Sequence, residues 1–106
     1  MLNDVAAIST GATYSTEAVP VGDIHAGILM VQPTIRCEHG FDVAAYGDSG
    51  EMLARACLTG SQVMLHVPFD GCRSVWVEVE NVNGYEEHPH AYEITLIPDE
   101  DGPHAE

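Results

Sequence analysis

The stretch that most limits what this chain can become is Arg73 to Asn81, RSVWVEVEN, where Val75, Val77 and Val79 alternate with Ser74, Trp76, Glu78 and Glu80. A period of two puts the valines on one face of an extended strand and both glutamates on the other. β-Branched residues suit a pleated surface, and two carboxylates would be costly to bury unpaired. The stretch therefore reads as a half-buried strand with a core on its Val side and water on its Glu side. The rest of the chain has to cover those valines.

The alternation recurs elsewhere. Ile28 to Val31 is a continuous apolar run, and Pro33 just beyond it predicts an edge strand or a bend, with Thr34 to Arg36 continuing extended. Cys37 to Gly40 is expected to turn. Phe41, Val43 and Ala45 then alternate with Asp42, Ala44 and Tyr46 in a strand that stops at Gly47-Asp48-Ser49-Gly50, a hairpin signal. Met52 to Leu58 returns as the next strand. Helix is the rival for Glu51 to Leu58, but eight residues between glycine turns are too few to hold one. After a turn at Thr59-Gly60-Ser61, the residues Val63, Leu65 and Val67 form another inward set, and Phe69-Asp70-Gly71 favours a tight turn into RSVWVEVEN. Asn81 to His90 reads as a polar excursion around Asn83-Gly84. Tyr92, Ile94 and Leu96 then alternate with Glu93, Thr95 and Ile97 in a closing strand that Pro98 ends. About six short strands without a sustained helical period predict an all-β fold, an antiparallel β-sandwich, since a lone sheet would leave its apolar face wet.

A chain of 106 residues suffices for one core. Residues 21–98 are expected to form the sandwich domain, residues 99–106 a solvated acidic tail, and residues 1–20 an extended N-terminal arm rich in Ala, Ser, Thr and Gly. Such an arm cannot by itself bury enough to offset its ordering entropy, so it is either disordered or laid against a partner. Asp4 and Glu17 are its two acids, which leaves it less repulsive than the body and makes Val5, Ile8, Tyr14 and Val19 candidate partner contacts.

Seventeen acids against three arginines and no lysine give a formal charge of −14. That argues against nucleic acid or an anionic membrane as partner, and favours solubility, a basic partner surface, divalent cations or a saline setting. Neither a signal-peptide pattern nor an apolar span of about 20 residues is legible, so the expected location is a virion or the cytoplasm. Cys37, Cys57 and Cys72, an odd number without a CxxC, are expected to be free, buried thiols acting as small hydrophobes.

The runs GFDVAAYGDSGEMLARA, VMLHVPFDGCRSVWVEVEN and HAYEITLI resemble, in that order, the bacterial pre-peptidase C-terminal domain. The shared features are Asp42 to Tyr46, Gly50 to Ala54, Pro68 to Val79 and Tyr92 to Leu96, within about residues 21–97. The resemblance implies a small jelly-roll-like β-sandwich and, as a function, a module that binds carbohydrate, protein or Ca²⁺.

Chemistry-bearing residues are scattered. His88 and His90 share one side of an extended segment, as do Cys37 and His39, and the four would make a transition-metal site were their loops to meet. Asp42, Asp48, Glu51 and Asp70 lie at strand ends and turns, where Ca²⁺ ligation competes with the commoner stabilisation of turns. No serine has a nucleophile-elbow setting, and Cys72 follows a glycine with no helix to activate it. Trp76 shares a side with Glu78 and Glu80, which makes it a contact residue, unless that face is covered and Trp76 is core. The sequence thus predicts a non-enzymatic structural protein with no cofactor or metal. It would dock through its arm and one sheet face on a protein partner, a larger assembly such as a capsid, with self-association as a further option. A virion accessory protein of the decoration or cement kind fits that reading, and the competing expectation is the binding module. Deleting residues 1–20 is expected to leave the domain folded and abolish assembly.

Overall fold

A computed structural model describes residues 1–33, 37–60, 62–82 and 90–99, the backbone alone for residues 37–40, 58–60 and 90. Within them the alternating runs become nine strands: β1 (Leu2–Ile8), β2 (Thr13–Ser15), β3 (Val19–Pro20), β4 (Ala26–Pro33), β5 (Cys37–Gly47), β6 (Met52–Gly60), β7 (Val63–Pro68), β8 (Ser74–Asn81) and β9 (His90–Pro98). They form two antiparallel sheets. The first has the order β1-β9-β4-β7, and the second β2-β8-β5-β6 with β3 also paired to β8.

β2 and β3 follow each other along the same side of β8 and act as one interrupted strand. Counted so, the chain is a long antiparallel ribbon in which β1 pairs β9, β2 and β3 pair β8, β4 pairs β7, and β5 pairs β6. Rolling the ribbon adds the pairs β4–β9 and β5–β8. That is a jelly roll, the double-sheet solution to burying eight half-apolar strands. The expected antiparallel β-sandwich is the observed fold, and β8, flanked by β5 on one side and by β2 and β3 on the other, is an inner strand of its second sheet.

The arm expected over residues 1–20 is instead part of this ribbon. β1 runs in register with β9 from Leu2↔Leu96 to Ile8↔His90, and Ala6, Ile8, Thr16 and Val21 are buried. The physical reason is the edge of β8. Its valines supply a buried face, but its second ladder edge needs a neighbour, which Thr13–Ser15 and Val19–Pro20 provide. Where that neighbour breaks, Thr16 fills the gap: its backbone N–H donates to the Val77 carbonyl at 2.9 Å, and its Oγ1 accepts from the Val77 N–H at 3.0 Å. Small residues such as Ala6, Ala7 and Ala12 dilute the pattern, which hides it in the sequence.

Three further expectations change. β4 lies inside the first sheet, between β9 and β7, and is not an edge. Pro33 is tolerated because it ends the strand, two residues past the last pairing with β7 at Val31↔Val63. The turn expected at Cys37–Gly40 is strand, accommodated by a register shift between Cys37 and Phe41, and Thr59-Gly60 likewise belongs to β6. Helix is not formed at Glu51 to Leu58, which is mostly β6. The expectations for Thr34–Arg36, Ser61, Asn83-Gly84 and residues 100–106 fall outside the described residues. Asp99 is tied down: its N–H donates to the Ala26 carbonyl at 2.9 Å.

The core sits between the sheets. Leu29, Val31, Val63, Val67, Ile94 and Leu96 project from the first sheet, and Phe41, Val43, Val75, Val77 and Val79 from the second. Phe41 and Tyr92 meet across it as a tilted pair with ring centroids 5.3 Å apart. The β7–β8 turn expected at Phe69-Asp70-Gly71 has left-handed backbone at Asp70 (φ 52°) and Gly71 (φ 80°), and buries Phe69 as a plug. A Cβ on Gly47 would collide with the Cys72 sulfur, so the β5–β6 hairpin needs glycine there to close against the start of β8.

Candidate interaction faces

Among the described residues no helix covers either sheet, so each presents an outer face. Parity decides what those faces carry. On the second sheet the outward residues of β8 are Trp76, Glu78 and Glu80. Those of β5 are Asp42, Ala44 and Tyr46, those of β6 include Met52, Arg55 and Cys57, and those of β2 are Thr13 and Ser15. The register sets Asp42 directly opposite Glu80, a like-charge pair, and Tyr46 opposite Trp76. The aromatic rings stack at 4.6 Å and 22°. Trp76 is thus half-buried in a cross-strand pair on the outer face, neither core nor a free-standing ring.

Arg55 lies 3.9 Å from the Asp42 carboxylate, with its side chain mostly in solvent. Such a pair contributes little. Ser15 Oγ donates to Glu78 at 3.3 Å. Arg55 lines a concavity of about 230 Å³ together with Thr13, Tyr46, Met52 and the three carboxylates Asp42, Glu78 and Glu80. Cys57 borders Asp42, and the hydrogen bond to that carboxylate raises its thiol above the ordinary range. Cys72 is also raised, by burial first and by Glu51 second. Neither is an activated thiolate. Cys72 is buried as expected, whereas Cys57 is exposed because its parity faces water.

The first sheet's outer face is different. Its outward residues include Val5 and Ala7 of β1, Thr95 and Ile97 of β9, Ile28 and Met30 of β4, and Met64 and His66 of β7. Val5 is 61% exposed, Met64 66% and Ile97 43%. Met30 lies opposite Met64, and Ile28 lies between Ile97 and His66. Among the described residues, Glu93 is the one carboxylate that points outward from these four strands, and His66 pairs at the rim with Asp99 at 3.5 Å.

Two polar ties join the sheets across the open side. Asn81 continues the inward parity of the β8 valines, is fully buried, and its amide donates to the Ile8 carbonyl at 2.9 Å. Its backbone accepts from the Gly11 N–H at 2.7 Å and donates to the Ala12 carbonyl at 3.1 Å, fixing the turn that carries the chain from β1 to β2. Tyr14 donates its phenolic O–H to Asp4 at 2.5 Å, and Asp4 also accepts from the Val5 N–H at 2.9 Å. The Asp4 bond is the main reason the Tyr14 hydroxyl is pushed above its usual pKa.

The residues singled out from sequence therefore scatter. Val5 is exposed on the first sheet, but Ile8 is core at 2% exposure and is unavailable to a partner in the folded chain. Tyr14 and Val19 pack against the core from the edge of the second sheet. Asp42 is on the acidic face. Asp48 sits in the β5–β6 turn and accepts the Arg73 N–H at 3.1 Å, while Asp70 is in the β7–β8 turn. Among the described residues no group of three His, Cys, Asp or Glu is placed to hold a metal. His88 lies outside the described residues, as do the side chains of His90, Cys37 and His39. Asn81 stands in the sequence at the junction of the strand stretch and the polar excursion, with no role expected of it, although its parity with Val75, Val77 and Val79 is a signal of an inward side chain. Among the described residues no helix is long and apolar enough to cross a membrane.

No family model and no curated protein matches the chain. Among solved structures it is similar to the SPBc2 prophage-derived protein YomS, at 15% identity over 91% of this chain and 96% of that one, with a TM-score of 0.45. A likeness that loose carries nothing about role.

Proposed function

We propose that this chain is a non-enzymatic assembly protein that associates through the outer face of the first sheet, as an accessory component of a larger particle such as a virion. One observation carries the reading: in a chain of charge −14, Glu93 is, among the described residues, the one carboxylate that the strands of this face point outward, and exposed Met64, Val5 and Ile97 lie there. Contiguous exposed apolar surface marks interaction sites, and the acidic opposite face would keep assembled particles from sticking to one another. The N-terminal segment serves this role as part of the fold, by supplying the β1 edge of the face, and not as a loose docking arm. In particles purified from the producing cells, the wild-type chain should be a component. The Met64→Glu variant should be lost from them while its circular dichroism stays unchanged. Absence of the wild-type chain from every sedimenting particle would end this reading.

A second reading, a binding module, is supported by the concavity beside the Tyr46–Trp76 stack. Retention on a polysaccharide column that Trp76→Ala abolishes, or a calcium-dependent rise in melting temperature, would favour it.

A further inference from the structure

We propose that the occupant of the first sheet's outer face is a second copy of this chain, packed sheet against sheet. The inference rests on the assembly reading for the identity of the face and adds the partner. Charge makes the selection. A partner recruited by a basic surface would be drawn to the second sheet, where Asp42, Glu78 and Glu80 project together. Among the described residues, the first sheet offers such a partner one outward strand carboxylate, Glu93. Of the two sheet faces, it is also the one along which a second chain of charge −14 meets fewer outward strand carboxylates among the described residues. An isologous contact presents the same patch from both sides, so a near-neutral patch meets a near-neutral patch.

Shape and size agree. β1, β9, β4 and β7 contain 7, 9, 8 and 6 residues. At a rise of about 3.3 Å and a strand spacing of about 4.8 Å they cover roughly 450–500 Å² in projection. Side-chain relief brings the accessible area near the roughly 600 Å² per partner at the lower end of specific interfaces. Two such faces can stack about 10 Å apart, as sheets do within a sandwich. The Met30–Met64 pair supplies unbranched side chains that fit an opposing copy without strain, beside the Ile28–Ile97 pair.

The test is sedimentation equilibrium of the full chain from micromolar to sub-millimolar concentration, at low and at half-molar sodium chloride. A reversible species of twice the 11.4 kDa chain mass is expected. It should strengthen as salt screens the repulsion between two acidic chains, the opposite of a charge-driven contact. Met64→Glu and Ile97→Glu, made separately, should each weaken association by about tenfold or more, with circular dichroism unchanged, and Thr13→Glu on the acidic face should not. A single chain mass throughout, or dimers that survive both substitutions on the first sheet, overturns the proposal. If the chain is monomeric yet Met64→Glu is still lost from particles, the second copy is excluded while the assembly reading stands. Dimers without any particle association give the converse.

Discussion

The outer face of the first sheet and that of the second are cut from one folded ribbon, and they differ in how they handle charge. On the second sheet, carboxylates sit directly across from one another at Asp42 and Glu80, beside an aromatic stack. On the first, Glu93 lies between Val5 and Gln32, with no acid directly across from it on either neighbouring strand. Both faces belong to sheets four strands wide, with β2 and β3 counted as one interrupted strand, over the same core, so the difference is not a matter of packing. Among the described residues, the outward strand carboxylates Asp42, Glu78 and Glu80 gather on the second sheet, and Glu93 alone points outward from the first. The like-charge pair is tolerated where water screens it.

Removing residues 1–20 should have the largest effect, because it strips β1 from the first sheet and both β2 and β3 from the second. The truncated chain is expected to lose its cooperative thermal transition; a sharp melt by near-ultraviolet circular dichroism would show the faces stand without their shared edges. Next is Asn81→Leu, which removes one of the two ties between the sheets and leaves the Ile8 carbonyl without that donor. A loss of about 1–3 kcal/mol is expected. It would be read as a lower urea midpoint at unchanged slope.

A smaller and opposite effect compares the faces directly. Glu80→Gln should stabilise by roughly 0.2–1 kcal/mol at low salt, since it relieves the pair with Asp42, and the gain should fade as salt rises. Glu93→Gln has no like charge opposite it to relieve, and should stay within about 0.5 kcal/mol of wild type. Equal gains from both would show that net charge, and not cross-strand register, sets the repulsion.

The smallest effect concerns the Asp4–Tyr14 clasp. The folded-state pKa of Tyr14 lies above the unfolded value of 10.0, so the folded chain holds that proton more tightly. Its contribution is fully present below the unfolded value and is lost as pH rises through the folded one. Melting temperature should therefore fall with pH above about 10, and Tyr14→Phe should flatten part of that fall. An identical slope in the variant would assign the loss to other groups.

What could be read from residues alone follows the strength of the alternation. Val75, Val77 and Val79 announced β8, and Phe41, Val43, Ala45, Tyr92, Ile94 and Leu96 announced their strands, because each set is apolar at every second position. Residues 2–20 were not legible as strands. Their inward positions include Asp4, Ala6, Tyr14 and Thr16, and only a partner strand gives such residues a reason to be ordered. Trp76 was legible as sharing a side with the glutamates, but its stack on Tyr46 depends on register between strands thirty residues apart.

The sequence determined by itself that this chain alternates, that its valines need cover, and that its surface is acidic. Those are local facts, fixed by the two-residue repeat of a strand and by the cost of burying charge. The tertiary structure alone decided which outward residues share a face. In a rolled ribbon β8 and β9 are neighbours in the chain but belong to opposite sheets, so Glu78 and Glu80 look out one way while Thr95 and Ile97 look out the other. An asymmetry of that kind leaves no block of like residues in the sequence, and it emerges when non-local pairing sorts the strands into layers.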